Sequence, residues 1–433
     1  MIGAPRTEAT SDTIFAVSSG RPPAAIAVLR ISGPDALTVA DALAGPLPPP
    51  RRATLRALRD ADGRLLDRAL VLTFPGPASA TGEHLVELHC HGGRAVIAAI
   101  DRALVTHGLR PADPGEFTRR ALTNGRIDLG QAEGLADLLE AETEAQRVAA
   151  LDGVEGRVGA MIGGWMTAVA GLSASVEATL DFADDDDVPD APLAPIAAAM
   201  TALAEEIAGV LAAPSVERIR DGFRVVIAGP PNAGKSTLLN RLLAREAAIV
   251  SPIAGTTRDR IEAPVARAGE AFLMIDTAGL TATDDVVEAI GVERAQATIA
   301  TADLLLWLDD TPPPHPSALW IHARADLPGR ADPLPGQLLS ISQDDPVSID
   351  RLWVAIADRA ATSGRNHDGP ALRERQRAAC RVALDALTDA PATDAILLAE
   401  HLRRAHHALA GALGIDATEA MLDQLFGRFC IGK

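Results

Sequence analysis

FRVVIAGPPNAGKST, residues 223–237, decides the fold of the segment around it. Phe223–Ala228 is an apolar, Val- and Ile-rich run of strand length that feeds directly into GPPNAGKS, Gly229–Ser236. A strand that opens into a glycine-rich loop ending in Lys-Ser is a phosphate-binding loop. Its backbone N–H groups close around phosphates, Lys235 reaches the outer ones, and the Ser236 hydroxyl coordinates Mg²⁺. The lysine is conspicuous because Lys and Arg together number 40, yet Lys235 and the C-terminal Lys433 are the only lysines. A chain that uses Arg so freely keeps Lys where a compact ammonium on a flexible stem is needed.

Two further motifs follow in the order of a GTPase switch. GTTRD, Gly255–Asp259, supplies Thr257, a Mg²⁺ ligand available only while the outer phosphate is present. DTAG, Asp276–Gly279, supplies a carboxylate to the Mg²⁺ shell and a glycine N–H to the same phosphate. The next residue is Leu280, where Ras-like enzymes carry the glutamine that orients water, so hydrolysis needs another group. EAIGVERA offers Glu288 and Glu293, and spacing alone does not choose between them. Guanine recognition usually uses Asn-Lys-x-Asp; the corresponding segment here is Ala323-Arg324-Ala325-Asp326, which keeps the carboxylate and loses the amide. GTP specificity with reduced affinity is expected. The nucleotide set is therefore Asn232, Ala233, Gly234, Lys235, Ser236 and Thr237, then Ser251, Pro252, Ile253, Ala254, Gly255, Thr256 and Thr257, then Asp276, Thr277, Ala278 and Gly279, with Asp326 and Ser342 at the base.

Outward from this core the periodicity changes. Strands and helices alternate to about residue 362, which predicts an α/β nucleotide-binding domain over 216–365. Helical spacing precedes it over 121–215 and returns over 366–433, so one discontinuous helical domain with an inserted Ras-like domain is expected. Residues 1–120 read as an α+β domain, with strands in AIAVLRISG, ALVLTFPGP and HLVELHCHGG and a helix in RAVIAAIDRALVTHG. The acidic run Asp184–Asp187 reads as a solvated loop.

Composition limits the function classes. A net charge of −18 opposes a broad electrostatic nucleic-acid surface, and the absence of Tyr leaves few stacking platforms, so any RNA contact must be local or shared with a partner. Cys90, Cys380 and Cys430 are too widely spaced for a zinc site or a disulfide framework. The start, MIGAPRTEATSDTIF, lacks a basic segment followed by an apolar run, and no charge-free stretch of membrane-spanning length is expected, so the reading is a soluble, cytoplasmic protein without a membrane partner.

The P-loop, GTTRD, DTAGL and the terminal FCIGK together resemble the MnmE (TrmE) family of tRNA modification GTPases, within the TrmE-Era-EngA-like P-loop group. SDTIFAV, AVLRISG, TGEHLVELHCHGG and PGEFTRRALTNGRIDLGQAEGLADL extend the resemblance through the amino-terminal and early helical segments. It implies a homodimer acting with an FAD-dependent partner, MnmG or GidA, in a heterotetramer. Together these add a carboxymethylaminomethyl or aminomethyl group to C5 of the wobble uridine (U34) of tRNA. The one-carbon unit is implied to come from a tetrahydrofolate derivative, 5-formyl or methylene. Residue by residue, the resemblance implies folate binding by Arg30, Glu83, Arg126 and Lys433, K⁺ held by Asn232, Ser251, Ile253 and Thr256, water orientation by Glu288 and catalysis by Cys430. A small apolar role for Cys430 in packing is the competing reading. An Era- or Der-type RNA or ribosome-assembly GTPase is the alternative family reading, against which stand the single P-loop and the absence of a basic RNA module.

Overall fold

The computed structural model describes residues 12–181, 193–244, 247–248, 262–277, 296–327, 330, 332–342, 345–362, 370–391, 393–414, 419–427, 429 and 432. By compactness the chain divides into two units, Met1–Ala136 with Gly414–Lys433, and Asp137–Leu413.

The first unit is built on six strands: β1 (Ile14–Val17), β2 (Ala24–Ser32), β3 (Thr54–Arg59), β4 (Leu65–Phe74), β5 (Leu85–Gly92) and β6 (Arg110–Pro111). Their order is β3-β4-β5-β2-β1-β6, antiparallel except for the β1–β6 pair. Period-2 alternation sorts the side chains. Ala27, Leu29 and Ile31 of β2 and Val86, Leu88 and Cys90 of β5 enter the core, where helices Ala36–Ala44 and Arg94–Thr106 cover them with Val39, Leu43, Ile100 and Leu104. Arg30, Ser32, Glu87 and His89 alternate with those core residues and so belong to the opposite face. β1 and β3 were not anticipated: IFAV is too short and TLRALR too basic to give a strand signal on their own.

The chain's last segment belongs to this unit. Helix Glu419–Phe426 packs Phe426 with Phe429, Ala132 and Ala136 in a small separate core. Gly115, in the left-handed region at φ +72°, opens helix Glu116–Thr123, and a Cβ there would lie 2.6 Å from the Phe426 carbonyl oxygen, so only glycine permits the approach. Arg119 pairs with Asp423 at 3.1 Å. At the tail, the Ser18 hydroxyl donates to the Gly432 carbonyl at 2.7 Å, and a Cβ on Gly432 would overlap the Val17 carbonyl oxygen.

The second unit joins a helical bundle to a seven-stranded sheet. Helices Arg157–Asp181, Ala194–Ala212, Glu374–Thr388 and Ala395–Ala412 share one apolar core that includes Ile162, Trp165, Met200, Cys380 and Leu402. The segment expected from residue 366 onward is thus split: two of its helices join this bundle, while Glu419–Phe426 packs in the first unit. The helical run beginning at Leu129 is also broken. Helix Leu129–Glu140 ends before Thr143, whose hydroxyl accepts from the Gln146 N–H while the Gln146 side chain caps back, opening a new helix at Glu144–Val154.

The expectation about charge-free stretches is corrected at residues 158–176, which carry no Asp, Glu, Lys or Arg. Among the described residues, Arg157–Leu180 and Ala194–Asp221 are long and apolar enough to cross a membrane by length and composition. Val158, Ile162, Trp165, Val169 and Val176 nevertheless lie in the bundle core, the position such residues take in a core helix.

The sheet comprises β7 (Phe223–Ala228), β8 (Ala247–Ala248), β9 (Glu262–Arg267), β10 (Glu270–Asp276), β11 (Leu304–Trp307), β12 (Leu319–Ala323) and β13 (Leu339–Ile341), in the order β13-β12-β11-β7-β10-β9-β8. The five strands from β13 to β10 run parallel, with β9 and β8 antiparallel at one edge. Helices Lys235–Leu243 and Pro346–Ala360 pack Leu239, Leu242, Leu352 and Trp353 onto one face, and Trp353 meets Phe272 edge-on at 5.4 Å. Ligands of open α/β sheets bind beyond the carboxyl ends of such strands, where Ala228, Asp276 and Ala323 all lie.

Candidate functional site

Gly229–Gly234 turns from β7 into helix Lys235–Leu243, with Gly234 at φ +94° immediately before the helix and Asn232 left-handed at φ +63° although it is not glycine. Lys235 is 6% exposed, and its Nζ donates to the Gly229 and Pro230 carbonyls at 2.8 and 2.9 Å. Burial holds its ammonium below the ordinary lysine range, with the charge of Asp276 opposing that shift. The Ser236 hydroxyl donates to Asp276 Oδ2 at 2.6 Å, which places two hard oxygen donors of the type a small divalent cation takes side by side. Thr277 fixes the end of β10 by donating to the Ile227 carbonyl at 3.0 Å.

Asn232–Thr237 border a cleft of about 860 Å³ that reaches to Ala323, Arg324 and Asp326. Arg324 is also left-handed, at φ +61°, and donates to the Asn232 carbonyl at 2.7 Å, tying the base segment to the phosphate loop. Ala323 ends β12 and lines the cleft where an amide was expected. From the end of β13 and from helix Pro346–Ala360 the cleft takes Ile341 and Ile349, on either side of Ser342; Ser342 itself donates its N–H to the Ser348 hydroxyl at 3.4 Å. Arg241, Leu308 and Leu327 also line the cleft, and sequence reading missed them because only the assembled sheet brings them there. Ser251, Pro252, Ile253, Ala254, Gly255, Thr256, Thr257, Ala278, Gly279, Leu280, Glu288 and Glu293 lie outside the described residues, as do Cys430, Lys433 and the acidic run.

The remaining folate candidates lie in the first unit. Arg30 on β2 donates through Nε to Glu87 Oε1 at 2.9 Å, and Glu87 Oε2 is 3.1 Å from His89 Nε2. Burial alone would raise the Glu87 carboxyl, but the bonds from His89 and Arg30 outweigh it and hold it below its ordinary value. Two residues along the same face of β2, the Ser32 hydroxyl donates to Glu83 Oε2 at 2.8 Å. Arg126 is exposed beside Gly82: a Cβ on that glycine would sit 3.2 Å from Arg126 Cγ. β2, the loop before β5 and the turn after helix Glu116–Thr123 thus bring Arg30, Glu83 and Arg126 onto one part of the unit. Cys90 and Cys380 are buried free thiols, both pushed up to about 11, chiefly by burial.

Comparison with known proteins places this arrangement. The family model described as the GTP-binding protein TrmE N-terminus matches residues 13–126, and the MnmE helical domain model matches residues 129–430. A protein of Erythrobacter litoralis named tRNA modification GTPase MnmE is 53% identical over 98% of this chain and 100% of its own. Proteins of the same name from Rhizorhabdus wittichii and Azorhizobium caulinodans are 53% and 50% identical, each over 98% of this chain and over 97% and 99% of their own lengths. Both models and these full-length likenesses agree, and the chain belongs to the MnmE (TrmE) family of tRNA modification GTPases.

Proposed function

We propose that the chain hydrolyses GTP in the modification of the tRNA wobble uridine, through an inserted G domain spanning about residues 216–365. The observation that carries this reading is a cleft lined by Lys235 and Ser236 at its phosphate end, where Ser236 donates to Asp276, and by Asp326 at its base end. The P-loop amides and Lys235 bind the phosphates, and Asp326 accepts from the guanine edge. Ser236 and Asp276 fit a Mg²⁺ shell, joined by Thr257; the ion supplies neutralisation of phosphate charge. Asn232, with Ser251, Ile253 and Thr256, would hold K⁺, which supplies positive charge where other GTPases use an arginine. With Leu280 unable to orient water, Glu288 takes that role.

Beyond hydrolysis, the reading includes a reduced folate held by Arg30, Glu83, Arg126 and Lys433, whose carboxylate suits pterin N–H donors and whose cations suit the anionic tail. The folate supplies the one-carbon unit. Cys430 acts in the modification step, in a cytoplasmic homodimer assembled with an FAD-dependent partner. The assay is a reconstitution of chain, flavoprotein partner, tRNA and reduced folate, with GTP turnover compared in KCl and NaCl at equal ionic strength. Turnover is expected to be much faster in KCl, with Glu288→Ala lowering kcat by on the order of a hundredfold at unchanged GTP affinity. Equal rates in the two salts remove the K⁺ role, and unmodified uridine in the complete mixture removes the modification role.

A further inference from the structure

The folate reading assigns Glu83 to a ligand and leaves open what holds that carboxylate. Arg120, from helix Glu116–Thr123, points its guanidinium at it: Nη1 lies 3.2 and 3.1 Å from Glu83 Oε1 and Oε2, and 3.0 Å from the Asp12 carbonyl. Nη2 donates to Asp12 Oδ1 and to Glu116 Oε1, both at 2.9 Å, while Nε is buried without a hydrogen-bond partner among the described residues. Ser32 adds its donation to Oε2, and its oxygen lies 2.7 Å from Thr81 Oγ1, while Asn124 holds the Thr81 carbonyl at 2.7 Å.

Two features separate the roles of the pair. The Arg120 side chain is 6% exposed and that of Glu83 is 18% exposed, so a ligand arriving from solvent meets the carboxylate and not the guanidinium. Among the described residues Oε2 accepts from both Arg120 and Ser32, whereas Oε1 accepts from Arg120 alone and keeps lone-pair capacity for a further donor. The charges point the same way. Arg110 pairs with Asp12 and Glu116, so Arg110 and Arg120 face Asp12, Glu83 and Glu116, and the cluster keeps one negative charge in excess. Such a site suits the N–H donors of a ligand and repels an anion.

We propose that Arg120 is a positioning residue that fixes the Glu83 carboxylate in one orientation for a ligand with paired N–H donors, such as a reduced pterin. This rests on the folate reading. It is tested with the full-length protein by equilibrium dialysis against 5-formyltetrahydrofolate and against p-aminobenzoylglutamate, which lacks the pterin. Arg120→Lys keeps the charge and loses the planar fork. It should weaken 5-formyltetrahydrofolate about tenfold to a hundredfold, leave p-aminobenzoylglutamate unchanged, and add nothing to the loss caused by Glu83→Gln. Ser32→Ala, which removes one bond to Glu83 and leaves every charge of the cluster in place, should give a smaller loss of the same pterin-specific kind and serves if Arg120→Lys fails to fold. Equal weakening of both ligands, or full additivity with Glu83→Gln, would assign Arg120 to scaffold stability alone and overturn the proposal. A wild-type protein that binds neither ligand, or a Glu83→Gln protein that binds both normally, gives a different result: it removes the folate reading itself.

Discussion

Lys235 and Glu83 are polar side chains held by opposite means. Lys235 is satisfied by carbonyls five and six residues before it in one loop, with Asp276 as its electrostatic counterweight. Glu83 is held by side chains from β2 and from helix Glu116–Thr123, within a cluster that reaches back to Asp12. The hydrogen bonds of Lys235 are complete within a single stretch of chain, while Asp276 and Arg324 meet that stretch from the ends of other strands. The carboxylate cluster exists only when the whole unit is folded, and each of its members serves several others.

Removing the lysine should expose that independence most sharply. Lys235→Ala is expected to lower kcat/KM for GTP by on the order of a hundredfold or more, because it removes the charge aimed at the outer phosphates. Thermal unfolding of the nucleotide-free protein should move little, since only local carbonyl contacts are lost. A large fall in Tm would mean that the loop is as entangled as the carboxylate cluster, and the contrast would collapse.

A backbone substitution in the first unit should behave in the reverse way. Gly115→Ala forces a Cβ into the left-handed region against the Phe426 carbonyl and should cost about 1–3 kcal/mol in chemical denaturation. The loss should appear in folate binding as well as stability, because Gly115 opens the helix that carries Arg120. Unchanged stability would show that helix Glu419–Phe426 can shift without consequence.

The smallest expected effect is in acid. Against the raising effect of burial, His89 and Arg30 hold the Glu87 carboxyl below its ordinary value of 4.5, so these contacts contribute stability that is complete above that pH and is lost as the pH falls through the lower folded value. Glu87→Gln should therefore flatten the acid limb of the stability profile and leave its shape above pH 6 unchanged, as read by urea midpoints across pH. An unaltered acid limb would mean the Arg30–Glu87 pair is silent.

The same contrast explains what could be read from the chain alone. GPPNAGKS and the alternation in AIAVLRISG each encode their structure within one strand or turn, and both lie where their local pattern places them, as does Asp276 at the end of its strand. ARAD was legible as a base segment, but the bond from Arg324 to the phosphate loop depends on two left-handed residues 92 positions apart. Arg120 gives no such local signal: its partner within the helix is Glu116, one turn away, and its other partners come from residues 12 and 83. β1 was missed for a related reason, since its four residues acquire strand character only through pairing with β2 and β6.

The seating of Gly432 against Val17 sets the order in which this protein can be finished. Residues 414–433 leave the ribosome only after all of Asp137–Leu413 has been made, yet they complete the unit whose strands were synthesised first. Domains generally fold as units during synthesis, amino-terminal first. Here the β-sheet of the first unit emerges early, lacks its closing helix and tail, and must wait through the translation of the entire nucleotide-binding segment. A nascent chain stalled between residues 137 and 413 would carry Leu122, Ala132 and Ala136 without Phe426 and Phe429, a state suited to chaperone capture.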